Sequence, residues 1–252
     1  MDPSPSPADP QARLVHELQR TLAVNAERAG NPILAGALDR LRAWQAARLR
    51  QTYIDLVQSP RYGPAIRFFE QDLYGARDFS RRDADLARIV PMMVRMAPRG
   101  VVHCVALAVE LNALSQELDL ALVKQLPRVD GGFTVADYCR AYRRAGDVTG
   151  RRRQIALIGE VGAALDRYVH KRLVRTSLAM MRRPAQVAGL SALQDFLERG
   201  FAAFRTMDGA DEFLAVVRER ETRVHDAIVG GRNEPFPDPT VLLASPEKAR
   251  AP

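Results

Sequence analysis

The sequence predicts an all-α protein, a single multi-helix bundle of about nine helices with disordered N- and C-terminal tails. Three observations carry that prediction. The first is where the prolines lie: of 16, four fall in residues 1–10 and five in 235–252. The others (Pro32, Pro60, Pro64, Pro91, Pro98, Pro127, Pro184) are spread so as to mark joints, because proline in a helix interior costs about 3 kcal/mol. Secondly, the stretches between them are rich in Ala, Leu, Arg, Glu and Gln, all good helix formers. The third is periodicity: apolar residues recur at steps of three and four, and no run alternates as a half-buried strand does.

Start and stop signals place the elements in order. A first helix is predicted over 11–29 and a second over 33–58, closed by Ser59-Pro60. A short helix from Pro64 to Tyr74 has proline in its first turn and Gly75 just past its end. Ser80 and Asp83 have capping-box spacing and open a helix to about Ala97, with a kink or break expected at Pro91. The next helix covers 101–126, with Leu107, Leu111, Leu114 and Leu118 on one face. Thr134 and Asp137 start a short helix to Ala145. Gly150 then precedes one long helix over 151–182, whose apolar stripe runs Ile155, Ile158, Gly162, Leu165, Val169, Leu173, Thr176, Met180. Ser191 and Gln194 form another expected capping box, for a helix to Met207. The last helix, 211–229, carries Phe213, Val216, Val217, Val224 and Ile228 on one face, with Arg220 as the exception, and stops at Gly230-Gly231. Such one-sided helices bury their faces against one another. The expected organisation is a disordered tail over 1–10, a helical domain over 11–230 and a disordered, proline-rich tail over 231–252. In that tail Phe236, Val241, Leu242 and Leu243 are apolar enough to dock on the body.

Composition narrows the function classes. The chain has 252 residues, 47% hydrophobic and 27% charged, with a formal net charge of +7. That is enough chain for a sizeable core. No uninterrupted apolar run reaches the roughly 18 residues of a membrane-spanning helix. The first residues have neither a basic nor an apolar region of the secretory kind, so no signal peptide is expected. Two cysteines, Cys104 and Cys139, do not make a disulfide scaffold, and a cytoplasmic setting is expected.

Residues 62–91 contain the stretch Phe68-Phe69-x-x-Asp72-Leu73-Tyr74-Gly75-x-x-Asp78-Phe79-x-x-Arg82-Asp83-x-Asp85-Leu86. It resembles a segment of an uncharacterised all-helical proteobacterial family. Glu110-Leu111-Asn112-Ala113-Leu114-Ser115 and Phe196-Leu197-Glu198-Arg199-Gly200-Phe201 look like parts of that same family, so the resemblance covers most of residues 10–230. It implies a helical domain and carries no activity. On the residues alone, the 68–85 segment has two readings. One is a packed helix–loop–helix corner with aromatics inside and charges capping. The other is a binding site in which Asp72, Tyr74, Asp78, Arg82 and Asp85 orient a polar ligand or partner.

The segment 151–183 holds nine basic residues and two acids, as large an excess as that of the whole chain. Arg167, Lys171 and Arg175 are spaced by four, which predicts a positive ridge on one helix. A ridge of this kind attracts an anionic protein or nucleic acid. There is no glycine-rich phosphate loop and no aromatic interleaving, so nucleic-acid binding ranks third among the functions considered.

A helical bundle also holds metal ions when carboxylates and imidazoles face each other. The candidates are His103 and Glu110, seven apart, and Asp166-x-x-x-His170, four apart. This set resembles that of heme-oxygenase-like di-metal oxidases, with the His103/Glu110 order reversed, and would take iron or manganese. Solvated ion pairs explain the same spacing. No nucleophile elbow or Cys–His signature is present, and no cofactor is predicted from the residues themselves. The leading expectation is therefore a non-enzymatic helical protein that binds a protein partner or self-associates, with a metal-dependent bundle enzyme as the alternative.

Overall fold

A computed structural model describes residues 9–73, 80–96, 98–127 and 132–240; side chains of 72–73, 80–82, 91–94 and 96 are outside the described set. Its elements are α1 (Pro10–Ala29), α2 (Pro32–Thr52), α3 (Ile54–Gln58), α4 (Gly63–Phe68), a π-helical turn (Phe69–Leu73), α5 (Ser80–Met96), α6 (Arg99–Val123), α7 (Val135–Ala145), α8 (Val148–Val169), α9 (Arg172–Met180), α10 (Arg182–Val187), α11 (Ser191–Met207) and α12 (Asp211–Val229). Among the described residues there is no strand. The all-α prediction is correct. The helices outnumber the nine expected because several are divided.

Local chemistry explains several starts. The Asp9 carboxylate accepts from Ala12 N–H at 3.0 Å, and the Asn31 side chain accepts from Leu34 N–H at 3.1 Å, each ahead of a proline in the first turn. Thr134 and Asp137 form the predicted capping box in both directions. Asp147, not Gly150, caps α8. Gly150 is needed because a Cβ there would lie 2.2 Å from the capping carboxylate. The box expected at Ser191/Gln194 is absent. Leu190 occupies the cap, and Gln194 turns to donate to the Leu178 carbonyl and to Glu198. α5 runs through Pro91 without a break, and α6 starts after Pro98.

The long helix expected over 151–182 is the main correction. α8 stops at Val169, Lys171 is extended (φ −77°, ψ 117°), and α9 and α10 follow as separate short segments. No glycine or proline lies at that break. The apolar stripe therefore divides: Val169 is buried, whereas Leu173 and Met180 are exposed.

α6 is the central element. Its Leu107, Leu114 and Leu118 pack with Leu157 and Ala164 of α8. On another side, Val102, Ala106 and Val109 meet Leu14 and Leu18 of α1 and Val90 of α5. α6 is long and apolar enough to cross a membrane by length and composition, but half of its apolar window is buried inside the protein. Its polar residues are also tied to neighbouring helices: Glu110 to α1 and α8, Asp119 to α2. It is a core helix.

Two aromatic clusters close the ends. Tyr62, Phe69, Phe204 and Phe213 pack together, with Phe69 and Phe213 stacked at 6.0 Å. Phe68 lies against Phe196. At the other end Trp44 is surrounded by Tyr138, Phe133 and Phe236. Phe236 of the C-terminal segment is thus docked in the core; Val241, Leu242 and Leu243 lie outside the described residues.

Candidate functional site

Helical spacing directs polar side chains from five helices to one point. On α2, Gln45 and Arg48 are three apart; on α7, Tyr138 and Tyr142 are four apart; on α12, Glu221 and His225 are four apart. α8 adds Arg151 and Gln154, and Asp119 of α6 completes the wall. Together with Ile155, Ile158, Val224 and Ile228 they line a cavity of about 60 Å³ inside the bundle. This is room for a few water-sized groups.

Arg48 and Glu221 make a bidentate pair at 3.1 and 2.9 Å, and the Tyr53 hydroxyl donates to the same carboxylate at 2.8 Å. Burial works to lower the pKa of the Arg48 guanidinium, but Glu221 outweighs it and holds the charge firmly. Arg151 is buried and lies 4.6 Å over the Tyr142 ring. It donates to Gln154 Oε1 and to the Leu118 carbonyl. Asp119 accepts from Gln45 at 3.0 Å, and burial pushes its carboxyl above the usual range against the pull of Arg151 and Arg42. The Tyr142 hydroxyl lies 2.8 Å from His225 Nδ1, and burial raises the pKa of the phenol. Burial lowers the pKa of the His225 imidazole, Asp226 opposes that, and Arg152 and Arg151 add to it. His225 Nε2, Arg48 Nε and Gln45 Oε1 are buried without a hydrogen-bond partner among the described residues.

The sequence-predicted sites lie elsewhere. Tyr74 and Asp78 are outside the described residues; the backbones of Asp72 and Arg82 are helical and their side chains are not described. Asp85 is buried on α5, 3.9 Å from Arg88. Around them, Phe68 and Phe69 are core residues, as the packed-corner reading expects.

Of the metal candidates, His103 is exposed, whereas Glu110 is buried and bonded to both Arg13 and Arg153. Those two arginines hold its carboxyl below the usual range despite burial. A carboxylate committed to two guanidinium groups is a poor ligand for iron or manganese. Asp166 and His170 pair with each other at 3.7 Å at the end of α8. Among the described residues no group of three His, Cys, Asp or Glu side chains is placed to hold a metal ion.

The basic ridge is likewise dispersed. Arg151 is inside the cavity wall, Arg153 is bound to Glu110 and Glu160, and Arg152 lies 3.8 Å from Asp226. The turn at Lys171 separates Arg167 from Arg175. What remains is concentrated on α9 and α10. No residue of α9 is buried, and Leu173, Met180, Met181 and Val187 are exposed, Val187 by 91%. Arg172, Arg175 and Arg183 beside them have no ion-pair partner among the described residues, whereas Arg182 is paired with Glu198 at 2.7 Å.

The cavity residues were missed because they are remote in sequence: Arg48 and Glu221 are 173 positions apart. One signal was visible, Arg220 interrupting an apolar face. It donates to Asp55 and to the Thr52 carbonyl, binding α12 to the chain just past α2.

Residues 25–235 match the model of the family described as Domain of unknown function (DUF8198). The chain belongs to that family. The match spans α2 to α12, so the cavity and the α9–α10 face both lie within the DUF8198 domain. No curated protein and no solved structure matches the chain.

Proposed function

We propose that this DUF8198 protein is a non-enzymatic helical scaffold that binds an acidic, amphipathic segment of a protein partner on its α9–α10 face. The observation that carries this is the exposure of Leu173, Met180 and Val187 beside the unpaired Arg172, Arg175 and Arg183. Large apolar side chains exposed on two successive short helices suit an interaction surface. The adjoining cations select a partner bearing carboxylates. Phosphate backbones offer nothing for the Leu, Met and Val side chains, which favours a protein over nucleic acid. The unpaired Cys104 and Cys139 fit a reducing, cytoplasmic setting.

The test is a titration of the full chain with a fluorescent amphipathic peptide of Leu and Glu, beside a Leu/Lys peptide and duplex DNA. Binding of the acidic peptide alone, weakened by salt and abolished in the Leu173→Glu/Val187→Glu variant, supports the reading. Failure of the acidic peptide to bind, or tighter binding of the DNA, overturns it.

A further inference from the structure

A buried charge in a folded protein normally meets a counter-charge, because an isolated ion in a low-dielectric interior is costly. In the central cavity this rule holds for Arg48, which Glu221 neutralises through two hydrogen bonds. Arg151, by contrast, has no carboxylate bonded to it among the described residues. That guanidinium is 7% exposed and donates only to neutral acceptors, an amide oxygen of Gln154 and the Leu118 carbonyl. Asp119 is the other carboxylate on the wall; it lies within electrostatic reach of Arg151, but its hydrogen bond is to Gln45 and burial pushes its carboxyl above the usual range. Arg151 has five N–H groups in a planar fork, so most of its donor capacity is unspent.

A second group on the same wall points to a ligand. His225 is 2% exposed, and its Nε2 has no partner among the described residues. The Tyr142 hydroxyl at 2.8 Å from Nδ1 has no other acceptor among those residues, so it donates to Nδ1. The ring proton then resides on Nε2, and the free nitrogen is a donor. Among the described residues, a guanidinium with no bonded carboxylate and a buried imidazole nitrogen with no partner thus line a space of about 60 Å³.

We propose that this cavity binds a small planar monovalent oxyanion, a short carboxylate or nitrate, with Arg151 as its counter-ion and His225 Nε2 as a second donor. A planar oxyanion suits the fork of a guanidinium, which pairs with two oxygens at once. The space is too small for a phosphorylated metabolite or a nucleotide. The site is independent of the α9–α10 face.

The experiment uses the full chain and measures its melting temperature and calorimetric heat on titration with sodium formate, acetate and nitrate, against sodium chloride at equal ionic strength. At least one planar oxyanion is expected to give a saturable rise in melting temperature that chloride does not give. Arg151→Met should abolish the saturable response, and His225→Phe should weaken it by about tenfold, the loss of one charge-assisted hydrogen bond. The exposed Arg205→Met, remote from the cavity lining, should leave it unchanged. If Arg151→Met does not fold, the wild-type titration and His225→Phe decide the matter. No saturable response in the wild type overturns the proposal, as does a folded Arg151→Met or His225→Phe protein that still responds as wild type does.

Discussion

α8 and α9 are consecutive, similarly rich in arginine and similarly striped with apolar residues, yet they have opposite fates. α8 buries Leu157, Gly162, Ala164 and Val169 against α6 and α12, whereas α9 has no fully buried residue. At Gly162 an added Cβ would lie 2.4 Å from Leu214, so the glycine lets α8 and α12 approach closely. The difference teaches that a stripe states only that a helix has a face to cover. What covers it is settled by neighbours far away in the chain. In α8 the cover is intramolecular; in α9 Leu173 and Met180 stay exposed.

The sharpest way to break the comparison is to truncate the same residue type in each helix. Leu157→Ala should lower stability by about 3–5 kcal/mol in urea unfolding, since Leu157 has no exposure and its loss leaves a cavity. The next largest effect is expected at the cavity wall. Glu221→Gln leaves the Arg48 guanidinium buried without its counter-charge and should cost about 3 kcal/mol, read in the same unfolding curves.

A smaller, pH-dependent effect comes from His225. Its folded pKa lies below the ordinary 6.5 because burial disfavours the imidazolium. The unfolded chain therefore binds the proton more readily, and stability falls as pH drops. The contribution is complete above pH 6.5 and is lost as the pH falls through the lower, folded value. Melting curves from pH 8 to about pH 5 should steepen for the wild type and flatten in that window for His225→Gln. The smallest effect is the counterpart of the first: Leu173→Ala should shift stability by less than about 0.5 kcal/mol, because Leu173 is 78% exposed. A loss as large as that of Leu157→Ala would mean that α9 is covered by the chain itself.

The fold was legible wherever a signal is local. Capping residues such as Thr134 and Asp137, the glycines after α12 and the leucine spacing of α6 act within one or two turns, so sequence reveals them directly. The break at Lys171 was not legible, because no helix-breaking residue marks it. Ser191 and Gln194 have capping spacing, but Gln194 finds a better partner across the α9–α11 contact than at its own helix start. The candidate site was hardly legible at all. Glu221, His225, Arg48, Tyr142 and Arg151 come together only through packing. Conversely, Glu110 stood out as a metal ligand by its spacing, and the two arginines that occupy it come from α1 and α8.

Trp44 is the chain's single tryptophan, and it sits 4.6 Å from the Tyr138 ring and 5.8 Å from that of Phe236. The molecule therefore contains an intrinsic fluorophore beside the last aromatic residue of the sequence. Release of the segment around Phe236 admits water to the indole and shifts its emission to the red. Attachment of the C-terminal end to the body is thus readable by light, without any label.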